Sequence, residues 1–142
     1  MNKKRLIGLA IVIIVGIGAY IVWTMWNKPF KDPLETDAVK VTSLQIFHDF
    51  STNEGDAQKK YVPEKVDSRA VEVTGKIKDT GKNNDGEKYL VLDGGDEMFG
   101  VKCIMDKGKT TSNPKPGDKV CVRGFCTGYN MDVILNRCQE IK

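Results

Sequence analysis

The chain is poor in the side chains on which most enzymes depend. It holds one histidine, His48, and its four cysteines include no Cys-x-x-Cys pair. A single histidine, which we place on the polar side of a predicted helix, leaves no Ser-His-Asp arrangement, and cysteines this far apart lack the paired knuckles of a structural zinc site. The glycine pair at 94–95 lacks the Lys-Ser/Thr that follows in a phosphate loop. We therefore predict a non-catalytic protein with no cofactor and no metal.

Net charge is also nearly absent once the first five residues are set aside. The formal net charge is +3. Lys3, Lys4 and Arg5 account for it, because the rest of the chain carries 19 basic and 19 acidic residues. A balanced domain of this kind lacks the basic footprint of a strong nucleic-acid binder.

What the sequence does contain is one long apolar run near its start. Residues 6–26 hold no charged side chain, and a helix of that length spans about 31 Å, the thickness of a bilayer's hydrocarbon core. Tyr20, Trp23 and Trp26 gather at the distal end, as an interfacial aromatic belt does. We predict an uncleaved signal anchor at Leu6–Trp26 that binds the membrane. The basic flank at 1–5 favours a cytoplasmic N-terminus, a single pass and a periplasmic or otherwise extracytoplasmic C-terminal domain.

After the anchor, the composition changes twice. Residues 27–40 contain two prolines and no apolar period, which is typical of a linker. Thr42 or Ser43 can then cap a helix whose apolar face is predicted at Leu44, Phe47 and Phe50. Residues 53–61 can form a second short helical turn.

Short β-rich runs separated by turn residues follow from residue 70 onward. Such spacing is typical of a small sheet that closes on itself. A longer connection with two prolines lies at 107–118. We predict a mainly β fold whose five strands lie at Ala70–Lys78, Lys88–Asp93, Met98–Met105, Lys119–Cys126 and Met131–Cys138.

Several segments together carry a resemblance to a known family. They are Phe50, Asn53-Glu54, Ala57, Lys60-Tyr61, Val71–Ile77, Gly100–Cys103, Gly117–Val120, Gly124–Gly128 and Asp132–Cys138. This pattern resembles the tRNA-anticodon-like family of OB-fold domains over about residues 42–141. The resemblance implies a five-stranded OB-fold barrel with a helical preface at 41–142, in a short membrane-anchored bacterial envelope protein.

The four cysteines, Cys103, Cys121, Cys126 and Cys138, all fall in the β-rich part. Outside the cytoplasm, one or two structural disulfides are expected among them. Counting back from a hairpin turn between Tyr129 and Asn130 places Cys121 opposite Cys138. A one-residue bulge would spoil that count, and the resemblance leaves a Cys126–Cys138 or Cys103–Cys138 pairing open.

OB folds bind ligands on the faces of their second and third strands and on the flanking loops. Basic residues exceed acidic ones by only two in residues 69–142. We therefore predict an envelope protein or peptide partner, with oligonucleotide or anionic oligosaccharide binding as the alternative. The candidate ligand-binding residues are Tyr89, Phe99, Lys88, Lys102, Arg123 and Tyr129; Phe125, Lys119 and Arg137 are weaker candidates.

Overall fold

A computed structural model describes residues 2–29, 31–65, 68–109 and 112–141 of the chain. It divides into two compact units, residues 1–30 and 31–142. The first unit is helix α1, Lys3–Trp26, in which no residue is buried. Its mean hydropathy is 2.6, so it is long and apolar enough to cross a membrane. The prediction of an apolar helix is confirmed.

The described residues of the second unit form six strands and two helices. In chain order they are β1 (Ala38–Thr42), α2 (Ser43–Thr52), α3 (Glu54–Tyr61), β2 (Ala70–Lys82), β3 (Lys88–Asp93), β4 (Gly100–Met105), β5 (Lys119–Asn130) and β6 (Asp132–Glu140). Strands β2 to β6 form a closed barrel in the order β2-β3-β4-β6-β5, with β5 pairing back onto β2. Only β4 and β6 run parallel within it. The predicted five-stranded, mainly β fold is confirmed.

Strand β2 belongs to both sides of the barrel because it bends. Residues 71–76 pair with β5, whereas residues 77–82 pair with β3. A register shift between Ile77 and Asp79 separates the two halves. A bulge of this kind adds local bend and twist, which lets one strand serve two sheets.

Helices α2 and α3 pack over one end of the barrel. Thr42 caps α2 by accepting a hydrogen bond from the Gln45 amide, and Asn53 caps α3 in the same way. Ile46 and Phe50 of α2 are buried against the strand core. Burial of this apolar face, rather than helix propensity, stabilises such short helices.

Two sequence predictions for this region are wrong. The linker predicted at 27–40 does not extend that far, because residues 38–42 form β1, a parallel neighbour of β2. Pro33 is buried in the second unit as well. Leu44 is 54% exposed, and Ile46 takes the core position instead. Phe47 and Phe50 are buried as predicted, so only the first position of the predicted face is wrong.

Candidate nucleic-acid interface

Two pairs of lysines face each other across β2 and its neighbours. Lys82 is in register with Lys88 of β3, and Lys76 is in register with Lys119 of β5. Like charges placed directly opposite each other destabilise a sheet. Within the described part of the chain, none of these four ammonium groups has a carboxylate within 4.0 Å. Each pair borders a pocket, and an anion bound there would reduce the repulsion between the two lysines.

The hairpin pocket lies between the β2–β3 hairpin and the long β4–β5 connection and has a volume of 220 Å³. Two of its described lining residues are lysines, and none of them is acidic. The Ser112 hydroxyl donates to the Glu140 carboxylate, which fixes one wall to β6. The lining residues are Thr80, Gly81, Lys82, Lys88, Tyr89, Leu90, Met105, Ser112, Asn113 and Pro114.

Tyr89 connects this pocket to the outer face of β3 and β4. Its ring leans across Gly81, where an added Cβ would lie 2.5 Å from the tyrosine hydroxyl. On β4, Lys102 places its Nζ 4.5 Å from the centroid of the same ring. Val91 and Ile104 continue the outer face, because the residues that alternate with them are buried in the core. A half-exposed aromatic ring beside three lysines therefore marks this side of the barrel.

The helix-start pocket lies where α2 begins and is larger, at 410 Å³. Its exposed surface is mostly apolar, and Lys76 and Lys119 border it. The Ser43 hydroxyl donates to the Asp93 carbonyl oxygen at 2.6 Å and ties α2 to the end of β3. The lining residues are Thr42, Ser43, Leu44, Thr74, Gly75, Lys76, Asp93 and Lys119.

Three of the predicted ligand-binding residues, Lys88, Tyr89 and Lys102, meet at the hairpin pocket and its adjoining face. The other three lie elsewhere. Tyr129 packs with Phe50 at a ring-centroid separation of 5.8 Å, beneath α2, and Phe99 packs on the edge of the same core. Both side chains contribute to stability through these core contacts. Both are half-buried, and their role in ligand binding stays a prediction.

Arg123 is held by an ion pair on the β2–β5 side. Its Nη2 lies 2.5 Å from Oε2 of Glu72, and its Nη1 donates to the carbonyl oxygen of Leu34 at 3.2 Å. The Arg123 guanidinium holds the pKa of the Glu72 carboxyl below its usual value. Arg123 therefore fastens the segment before β1 to the barrel. Its assignment as a ligand-binding residue stays a prediction.

The four cysteines are free thiols. The β5–β6 hairpin turns at Met131, with Asn130 paired to Asp132, so Cys121 lies opposite Ile141. The expected register, with Cys121 opposite Cys138, is wrong because the turn lies further along the chain than counted. Cys121 instead contacts Glu72, with its Sγ 3.4 Å from Oε1.

Cys103, Cys126 and Cys138 are buried in the barrel core. Burial raises the pKa of the Cys126 thiol to about 11 and also raises the pKa of the Cys138 thiol. Neither of these two thiols is ionised at neutral pH, so both are poor nucleophiles.

His48 is exposed, as predicted. Lys82 and the wall at Ser112–Pro114 were missed as site residues. The sequence did contain a signal for Lys82, because it stands as far before the 83–87 turn as Lys88 stands after it.

The barrel defines the chain as an OB-fold protein. The chain belongs to the tRNA_anti-like family, whose model matches residues 1–140. Among solved structures, it is similar to a lipoprotein of Klebsiella pneumoniae subsp. pneumoniae MGH 78578 that carries a provisional assignment as nucleic acid-binding. The TM-score is 0.53 at 16% sequence identity, over 81% of this chain and 100% of that chain. At this identity the likeness concerns the fold alone. A search of curated proteins gave no match.

Proposed function

We propose that the protein is a non-catalytic, membrane-anchored module that binds single-stranded nucleic acid through the hairpin pocket and the adjoining face of β3 and β4. The observation that carries this proposal is the Lys82–Lys88 pair beside the Tyr89 ring, which makes no salt bridge to any residue that the structure describes. Phosphates would relieve the repulsion between the two lysines, and an unpaired base can stack on an aromatic ring. The provisional assignment of the Klebsiella lipoprotein agrees with this ligand class.

Lys102 has a defined part in this binding. In the free protein its ammonium group lies over the Tyr89 ring in a cation–π contact. A base that stacks on the ring would displace the ammonium group, and the flexible lysine stem would let it reach a phosphate. A duplex hides its base faces, so it offers the ring nothing to stack on. The face therefore favours single strands over duplexes.

The binding test uses the full-length protein in nanodiscs of zwitterionic lipid and a fluorescent 12-nucleotide single strand. The variants are Lys82→Ala/Lys88→Ala, Tyr89→Leu and, as a matched control, Lys76→Ala/Lys119→Ala. We expect the first double variant to bind at least tenfold more weakly at low salt, with a salt slope shallower by about 1.4 for two lost phosphate contacts. Tyr89→Leu should lose about 5- to 150-fold, the range of one stacking contact, and the control should stay within twofold.

Three outcomes would contradict the proposal. Equal affinity for a duplex of the same sequence would remove the stacking argument. Heparin binding that depends on the lysines and ignores Tyr89 would assign the face to anionic oligosaccharides. If the protein binds neither nucleic acid nor heparin, the protein or peptide partner predicted from the sequence becomes the better hypothesis.

The anchor belongs to the same proposal. Helix α1 meets the length and hydropathy of a membrane span, and Lys3 and Arg5 stand at its start. We expect the chain to stay in the membrane after alkaline extraction with its N-terminus intact. We expect its C-terminal domain to be cleaved by protease added to cells stripped of their outer envelope but with an intact cytoplasmic membrane. Cleavage only after the cytoplasmic membrane is lysed would reverse the orientation.

A further inference from the structure

We propose that the helix-start pocket binds a small amphiphile, an anionic head group on a short apolar chain. The pocket is separate from the proposed nucleic-acid interface and requires none of its residues. Its volume of 410 Å³ falls within the range of about 300–1,000 Å³ typical of ligand pockets. Its exposed surface is mostly apolar, yet two lysines border it. An amphiphile matches that combination, whereas a purely ionic ligand does not.

The lysines define the position of the head group. Lys76 and Lys119 are in register on β2 and β5, and both are exposed. Neither makes a salt bridge to a described residue. Their mutual repulsion falls when an anion lies between them. The positive end of the α2 dipole, at Ser43, has the same sign and adds to the attraction.

Among the described lining residues Asp93 is the one carboxylate, and two hydrogen bonds fix its position. Its Oδ1 accepts a hydrogen bond from the Gly95 amide at 2.9 Å, and its carbonyl oxygen accepts the Ser43 hydroxyl. The first bond holds the carboxylate to the start of the β3–β4 loop, and the second ties the residue to α2. The local balance around the pocket is therefore two cations to one anion.

Leu44 defines the position of the apolar chain. It is 54% exposed, although the rest of the apolar face of α2 is buried. The floor of the pocket beside Leu44 is preformed, because the Gly75 backbone packs closely against Ser43. An added Cβ at Gly75 would lie only 2.8 Å from the Cβ of Ser43. Contact with a ligand would remove apolar surface of Leu44 from water, and the floor of the pocket would not have to rearrange.

The test uses calorimetric titration of the full-length protein, in nanodiscs of zwitterionic lipid, with hexyl phosphate. Inorganic phosphate and hexanol are the two half-ligands. We expect saturable binding of hexyl phosphate and at least tenfold weaker binding of either half alone. Lys76→Ala/Lys119→Ala should bind hexyl phosphate at least tenfold more weakly. The matched pair Lys82→Ala/Lys88→Ala should stay within twofold, and Leu44→Ser should lose at least threefold.

The remaining outcomes would overturn the proposal. Equal loss in both lysine variants would mean unspecific attraction, and inorganic phosphate binding as tightly as hexyl phosphate would mean a plain anion site. Loss of hexyl phosphate binding when phosphatidylglycerol is added to the nanodisc would assign the head group to membrane lipid instead of a soluble amphiphile. The nucleic-acid proposal is tested separately, because oligonucleotide affinity should not respond to Lys76→Ala/Lys119→Ala.

Discussion

The two halves of β2 use the same charge arrangement with different walls. Each half has a cross-strand lysine pair beside a pocket, with no salt bridge to a described residue. The half next to β3 adds the Tyr89 ring and a wall from an irregular connection. The half next to β5 adds Leu44 and a floor of regular elements tied together by Ser43. The two lysine pairs thus attract anions to both pockets, and the other lining residues of each pocket determine which anion fits.

The bulge between Ile77 and Asp79 is what makes the halves different. Without it, the strand would continue along one sheet, and both lysine pairs would share one kind of neighbour. With it, one half is held by long-range tertiary contacts, and the other ends in an exposed hairpin. We expect the β5 half to be rigid and sensitive to substitution and the β3 half to be tolerant.

The largest expected difference in stability between the two halves comes from the Glu72–Arg123 ion pair of the β5 half. Glu72→Gln should lower the free energy of unfolding by about 2–3 kcal/mol at neutral pH, because it removes a charged hydrogen bond to partly buried Arg123. The pKa of Glu72 is lowered in the folded chain. The pair therefore stabilises the fold above the ordinary glutamate pKa, and this contribution is lost as the pH falls through the lowered value.

Urea unfolding of both proteins across pH 2–7 measures this effect. The gap between wild type and Glu72→Gln should close at the acid end of the series. Asp79→Asn is the control on the β3 half, because Asp79 is exposed and bonds only its neighbour's amide; it should change stability by less than about 0.5 kcal/mol. A gap that persists at pH 2 would contradict the linkage.

A smaller difference in stability is expected when one glycine in each half is replaced by alanine. Gly75→Ala forces its new methyl group into the buried Ser43 side chain and should cost about 1–2 kcal/mol. Gly81→Ala meets only the tip of the Tyr89 ring, an outward side chain that can swing away, and should cost less than about 0.5 kcal/mol. Equal urea midpoints for the two variants would refute the contrast between a rigid half and a tolerant half.

The smallest effect tests what the two halves share. Lys119→Glu and Lys88→Glu each replace a like-charge cross-strand pair with an ion pair. Each should raise the free energy of unfolding by about 0.2–1 kcal/mol at low salt, and the gain should shrink in 1 M NaCl. A gain in only one of the two would show that the pairs are not equivalent.

Much of the barrel could be predicted from local pattern. The alternating run at Lys88–Asp93 matched β3 residue for residue, and the Thr42 cap marked the start of α2. Both signals lie within a few residues of the element that they define. Strand β1 was missed because its five residues are stabilised by parallel pairing to β2, about thirty residues later in the chain.

The site was less predictable, because its assignments depend on distant partners. Arg123 looked like a ligand-binding residue, but its partner Glu72 lies 51 positions away. Tyr129 was predicted to stack on a ligand, and its ring packs against Phe50 of α2. Tyr89 and Lys102 lie on the same outer face, as alternation within each strand predicts, and Lys88 stands at the first position of β3.

The strand order also bears on how the chain comes to be folded during synthesis. β6 is the last strand, and it lies between β4 and β5. Until residues 132–140 emerge, both neighbours expose unpaired edges that could capture another chain. Barrel closure depends on contacts of long sequence separation, which form slowly. The nascent domain therefore stays vulnerable to aggregation until almost all of it has been translated.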